Sequence, residues 1–282
     1  MSNSLRKSRR NNIVFHVILI LSIIVILFPV YWMVKTSLIN EYRIYQYPPG
    51  LFIEQADLDL LRYVRLLKES PLMDWVFNTF YLAVLTSLFG IIVSLPAAYA
   101  LSRYPSKKSK YLGYSLLITR MLPLTLLIVP MYMILGRINL LNHHLSILLS
   151  NLAYILPFTI WTLKSFIDSI PRGIDESASI DGCSLLMVFK SIIFPLTMPG
   201  IGAVIVYSFV RIWGEFLFAS SFLSSPELLT ITVGAQLYAG SLNISWGNIM
   251  AVTTIGSAPM ILIFLYLEKY YVSGLSAGAV KD

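Results

Sequence analysis

Arg211 and Glu215 stand four residues apart inside one of the most apolar stretches of the sequence, Pro199–Leu223. At that spacing the two side chains share one face of an α-helix. A charge at such depth is costly unless it faces an interior, a partner or water. Two roles fit the pair: a translocation-path or gating couple, and a structural ion pair that holds a helix bundle in register. Tyr207 and Trp213 lie on the same stretch, and Tyr154 and Trp161 on another. Their rings suit a sugar face and suit packing equally. Arg120 has no acidic partner in its own segment; contact with Glu215, a position at an outer mouth and a helix end all remain open for it.

A second polar island reads "DESASIDGCS", Asp175 to Ser184. Small residues sit among carboxylates, and Gly182 follows Asp181 directly. This predicts helix, sharp turn, helix. Pro171 suits the first helix's first turn, Asp181 is placed to cap the second, and Gly182 can take the positive φ of the turn. Leu185, Phe189 and Ile192 then mark an apolar stripe that needs a cover. Pro195 and Pro199 end the run.

Other chemistry is not legible. There is no phosphate-binding loop, dinucleotide fingerprint or metal-ligand spacing. His143 and His144 read as solvated residues of a short loop, and no hydrolase nucleophile can be picked out. The chain is therefore read as non-catalytic, with neither metal nor cofactor of its own.

The elements that must position these residues follow from composition. Of 282 residues 57% are hydrophobic and 12% charged, against roughly 45–50% and about 25% for a soluble domain. Six apolar spans are expected: 13–34, 79–101, 112–135, 145–163, 199–223 and 249–267. Each is long enough to cross a hydrocarbon core of roughly 30 Å as a helix. Prolines within them are tolerable where neighbouring helices satisfy the freed carbonyls. The first span is too long for a cleaved signal and is read as a retained helix, with Tyr31 and Trp32 at the interface.

Lys and Arg divide 13 to 6 between alternate loops, which puts both termini in the cytoplasm. The same bias accounts for the net charge of +7 without nucleic-acid binding. The single cysteine, Cys183, excludes an internal disulfide. In the long outer loop, Asp57 is placed to cap a short helix with a stripe of Leu58, Leu61, Val64 and Leu67. That stripe suits packing over the span ends or contact with an external protein. No repeat or linker marks a second domain, so residues 1–282 are expected to form one.

The inner loop, 164–198, resembles the cytoplasmic signature of permease subunits in binding-protein-dependent ABC importers. That signature is Glu-Ala-Ala, three residues, Gly, nine residues, Ile-x-Leu-Pro; here it reads Glu176-Ser177-Ala178, Gly182 and Ile192–Pro195. Ser177 and Phe194 depart modestly from it. "AYALSRY" (98–104), "WGEFLFA" (213–219) and the tail "YVSGLSAGAVKD" (271–282) are similar to blocks of the carbohydrate-importing, maltose-transporter-type second permease.

The resemblance implies an all-α polytopic protein of the type I importer permease fold, with a cytoplasmic coupling helix. It also implies a homologous second permease, a dimer of ABC ATPase subunits that alone use ATP and Mg, and an extracellular or periplasmic sugar-binding protein. Membrane lipid surrounds the spans, and the site is the cell membrane. On this reading Glu176, Ser177, Ala178, Asp181, Gly182, Leu185, Phe189 and Pro195 couple to an ATPase, with Glu176 as the charged anchor and small residues permitting close approach. Gly274, Ser276, Ala277 and Gly278 of the tail reach the ATPase interface. The alternative is a stand-alone secondary transporter or channel, against which stand the lack of a paired repeat and a single deep carboxylate.

Overall fold

The computed structural model describes the backbone of residues 2–240 and 244–279, and the side chains of 14–240 and 244–265. The helices are α1 (Ser2–Leu38), α2 (Glu41–Ile44), α3 (Leu61–Glu69), α4 (Leu72–Arg103), α5 (Lys107–Thr119), α6 (Leu124–Arg137), α7 (His144–Asp168), α8 (Arg172–Ile180), α9 (Leu185–Val188), α10 (Phe194–Leu196), α11 (Met198–Trp213), α12 (Leu217–Phe222), α13 (Ile231–Leu237) and α14 (Trp246–Ala279). Among the described residues there is no strand, only an isolated bridge between Ile39 and Leu58.

Four stretches are long and apolar enough to cross a membrane: Val14–Leu38, Leu72–Arg103, His144–Asp168 and Trp246–Leu265. The third expected span is not a continuous helix, and the fifth, expected over 199–223, stops at Trp213 and is entered through a bend before Met198. Lys107–Thr119 and Leu124–Arg137 meet at 104°, and Leu185–Leu196 and Met198–Trp213 meet at 69°. Proline explains both breaks. Pro123 bars helical geometry at Leu122 and has no N–H to give, so Arg120–Leu122 turn instead. Pro195 and Pro199, four residues apart, both withhold donors; a π-turn over Phe189–Ile193 precedes the bend. Thr197 anchors the corner by donating its hydroxyl to the Ile193 carbonyl, 2.7 Å away.

The chain packs as two compact units, 1–70 with 235–255, and 71–234 with 256–282. In the first, the apolar side chains of α1 from Val14 to Tyr31 are all exposed, as expected of a helix that is hydrophobic all round and faces lipid. Its last turn is closed by Arg62. That guanidinium is 3% exposed and donates to the carbonyls of Thr36 (3.3 Å), Ser37 (2.9 Å) and Ile39 (2.8 Å), with Glu41 at 3.3 Å. A cation on orphan carbonyls is a strong helix C-cap.

Arg62 also corrects the reading of the outer helix. Pulled inward, it turns α3 so that Arg62 and Leu66 are buried, while Leu58, Leu61, Val64 and Leu67 stay exposed. Asp57 does not cap α3: its carboxylate takes Arg43 Nε (2.7 Å), and Asp59 receives the Arg62 amide (3.2 Å).

A Cβ added at Gly247 would lie 2.3 Å from the Arg62 guanidinium carbon. Gly247→Ala is therefore expected to lower stability by about 1–3 kcal/mol, the usual cost of overpacking. Thermal unfolding in detergent by fluorescence-detected gel filtration checks this; an unchanged midpoint would mean Arg62 has room to shift.

In the second unit α4, α7 and α11 pack together around Leu95, Ala98, Leu163, Ile167, Ile193 and Val204. Helices α7 and α11 approach closely because Gly200 has no side chain: a Cβ there would fall 2.5 Å from the Phe166 ring. Hydroxyls inside the spans bond to carbonyls one turn back, Thr79 to Trp75 and Ser87 to Ala83, which satisfies their polar groups within the apolar layer. His144 is half-buried rather than solvated. Its Nε2 meets the Leu228 carbonyl at 2.7 Å, and its ring stands edge-on to Tyr81.

Candidate functional site

The polar island folds as helix α8, a turn at Asp181–Ser184, and helix α9. Gly182 has φ +81°, the left-handed conformation that a residue with a Cβ adopts at a cost. The second helix is capped by Ser184, whose hydroxyl accepts the Met187 amide at 3.4 Å; Asp181 instead closes the C-terminus of α8. Ser184 serves because it directly precedes Leu185, the first residue of α9, whereas Asp181 lies before the turn.

Helix α8 has two faces. Glu176, Ser177, Ser179 and Ile180 point outward, Ile180 being 86% exposed. Ala178 is turned inward, 7% exposed, against the core, and so is not part of an approachable tip. Leu185 is exposed beside Leu186 and Met187. Phe189 is half-buried, with its ring 5.3 Å from that of Tyr99 on α4, and Pro195 lies exposed before the bend. A cleft of 440 Å³ opens between Tyr99, Arg103, Tyr104, Glu176, Ile180 and Leu185. The outer surface is thus an acid, small hydroxyls and bare apolar side chains around a sharp turn.

That surface is fastened to the bundle by residues the sequence reading did not single out. Arg103 at the end of α4 forms an ion pair with Asp175 of α8 and donates to the Ile170 carbonyl at 3.0 Å. Arg172 donates to the Ser102 carbonyl (2.9 Å), and the Ser102 hydroxyl to Asp168 (2.6 Å). The signal was present: Ser102–Arg103 ends a span and Asp175 opens the island, but only the fold brings them together. The Arg103–Asp175 pair is nearly buried, its side chains 7% and 16% exposed. Loss of one partner from such a pair costs about 3–5 kcal/mol. Arg103→Asp and Asp175→Arg are each expected to cut uptake into proteoliposomes by at least fivefold, and the double exchange to restore part of it. Additive losses in the double variant would show that the pair does not act as a unit.

The deep positions are arranged differently from expectation. Helix α11 ends at Trp213, so Arg211 and Glu215 do not share a helix face. Glu215 is 3% exposed and caps the next helix: its carboxylate accepts the amides of Phe218 (2.7 Å) and Ala219 (3.1 Å). Arg211 lies over the Tyr154 ring at 5.0 Å. Trp213 is buried, stacked on Phe209, with its indole N–H donating to the Gly256 carbonyl at 3.0 Å. Tyr207 is half-exposed, its ring 4.0 Å from Phe158. Arg120, at the break of the third span, sits over Phe158 at 4.4 Å, and Trp161 lines a cleft with Lys164 and Arg172. The side chains of Gly274, Ser276, Ala277 and Gly278 lie outside the described residues.

Residues 87–276 match the family model of the binding-protein-dependent transport system inner membrane component. The chain belongs to this family.

It is thus a multi-pass permease subunit of the ABC importer class, a transport component by family. The permease is 34% identical to the sulfoquinovosyl glycerol transport system permease protein of Agrobacterium fabrum, over 90% of this chain and 89% of that one. It is 31% identical to the trehalose/maltose transport system permease protein of Thermococcus litoralis, over 93% and 94%. Its fold is that of a bacterial ABC transporter involved in the import of the acidic polysaccharide alginate, with TM-score 0.79 and 20% identity over 94% of this permease and 98% of that chain. Another solved structure, the alginate transporter with its alginate-bound periplasmic protein, gives TM-score 0.69 over 92% and 93% at 16% identity. The four continuous stretches, six when each bent pair counts as one span, fit the type I importer permease fold.

Proposed function

We propose that this permease supplies half of the translocation pathway of an ATP-driven saccharide importer, with a homologous permease supplying the other half. The carbohydrate cargoes named for its relatives support the cargo class. ATP and Mg are handled by a pair of partner ATPases, not by this chain, and an external saccharide-binding protein delivers the cargo. Both termini and the 164–198 loop face the cytoplasm, in keeping with the bias of Lys and Arg.

One observation carries the mechanism: the exposed acid-and-turn surface of α8–α9 is fixed to three spans at once. It continues α7 by chain connection, leads through the bent α9–α11 segment into α11, and is tied to α4 by Arg103–Asp175. An ATPase that grips Glu176 and the Gly182 turn moves α4, α7 and α11 together, because their core is continuous and close-packed. Movement of these helices exchanges inward and outward access.

The test is reconstitution of this chain with its copurifying permease, ATPases and binding protein in proteoliposomes. Saccharide uptake that requires internal ATP is the expected result. Uptake by this chain alone, driven by an ion gradient, would replace this reading with that of a secondary transporter.

A further inference from the structure

Arg43, Arg62, Arg65 and Arg103 each hold a carboxylate within ion-pair distance. Arg120 and Arg211, which the sequence places inside its third and fifth spans, hold none among the described residues. Glu215 is close in sequence, but its carboxylate is held by the amides of Phe218 and Ala219 at the start of α12 and forms no ion pair with Arg211. A guanidinium without an ion-pair partner within a membrane bundle is costly and points to a functional surface.

The two cations share one aromatic platform. Arg120 lies over Phe158 with its Nη2 3.4 Å from the Tyr207 hydroxyl, Phe158 and Tyr207 touch at 4.0 Å between centroids, and Arg211 lies over Tyr154. Tyr154 and Phe158 are one turn apart on α7 and flank its midpoint; Tyr207 and Arg211 are one turn apart on α11. None of these side chains is buried, and Arg120 is exposed.

We propose that this cluster is the cargo-contacting face of the permease and that its cargo is a saccharide bearing an oxyanion, a carboxylate or sulfonate. A guanidinium lying on a ring engages its face, and its N–H edges remain directed outward in the fork geometry that fits two oxygens of one anion. The flanking rings offer flat apolar surface to the C–H face of a sugar. A neutral saccharide offers neither cation an ion-pair partner, whereas an anionic one pairs with them while it passes. This inference rests on the importer reading above.

The experiment uses the complete importer in phosphatidylcholine nanodiscs, so that anionic lipid headgroups do not compete. ATP hydrolysis is followed with the binding protein present, using matched probes: galacturonate and digalacturonate against galactose and cellobiose, and sulfoquinovose against glucose. The expected result is stimulation by an anionic probe at a concentration at least tenfold below its neutral match. Arg211→Gln and Arg120→Gln should each raise the half-maximal concentration of that probe by at least tenfold, with Arg211→Lys intermediate. Stimulation by neutral probes alone overturns the inference and leaves the saccharide importer standing. Stimulation by neither kind removes the saccharide reading itself. Loss of the partner permease on purification of the Gln variants also overturns the inference, because the guanidiniums would then serve subunit assembly.

Discussion

Glu176→Lys is expected to reduce uptake at least a hundredfold while the permease still inserts in the membrane and copurifies with its neighbours. Glu176 is exposed on α8 beside the Gly182 turn, and among the described residues no hydrogen bond or ion pair holds it. Its loss therefore costs the fold little. A carboxylate presented at an interface is worth most when it meets a guanidinium or backbone amide there, and reversing its charge replaces attraction with repulsion. Truncating one partner of a desolvated charge pair costs about 2–5 kcal/mol of binding, enough to separate ATPase closure from the spans. Uptake and ATP hydrolysis measured on the same proteoliposomes check this. Hydrolysis that persists without uptake is the signature of coupling lost at this position. Unchanged uptake would remove Glu176 from the anchor role.

Glu215→Ala should have the largest effect on folding. The carboxylate closes the N-terminus of α12 by taking two buried amides, and Thr232 donates its hydroxyl to the Glu215 carbonyl at 2.6 Å. Alanine would leave both amides without an acceptor, at about 1–3 kcal/mol each. Glu215→Gln keeps one acceptor oxygen and should fall between. Yield and thermal midpoint in detergent measure the order wild type, Gln, Ala. If Glu215 were mainly a transport residue, the Ala variant would be as stable as wild type and only uptake would fall.

Much of this architecture is visible in the sequence because a membrane leaves few choices. Apolar runs of about 20 residues and the polar island between 164 and 198 emerged from composition and turn chemistry. The two bent spans did not. Hydropathy is blind to backbone direction, and Pro123 or Pro195 acts locally on a run whose apolar character does not change. Glu215 was misread for the same reason: the i, i+4 spacing to Arg211 assumes an unbroken helix, and the helix stops at Trp213. In the outer loop, the apolar stripe of α3 was the visible pattern, yet the buried face is centred on Arg62. A cation that satisfies three carbonyls outweighs a few leucine contacts, and those carbonyls belong to a helix end that the spacing within α3 does not register. At the candidate site, Gly182 and the outward face of α8 were legible. The Arg103–Asp175 fastening was not, since it joins residues 72 positions apart.

The clasp at Arg62 has a bearing on how the chain is made. Its guanidinium is enclosed on one side by Gly247, and Glu41 is approached by Ser245 and Tyr45 by the Ile244 carbonyl. The first unit is therefore discontinuous, begun by the first 70 residues and finished by residues 235–255. At synthesis rates of about 5–20 residues per second, the leading helix waits on the order of 10–40 s on the ribosome before its closing segment exists. During that interval the whole second unit emerges. The span within residues 1–70 is thus made well before the segment that locks it, and a chain truncated before residue 244 would leave that early unit unfinished.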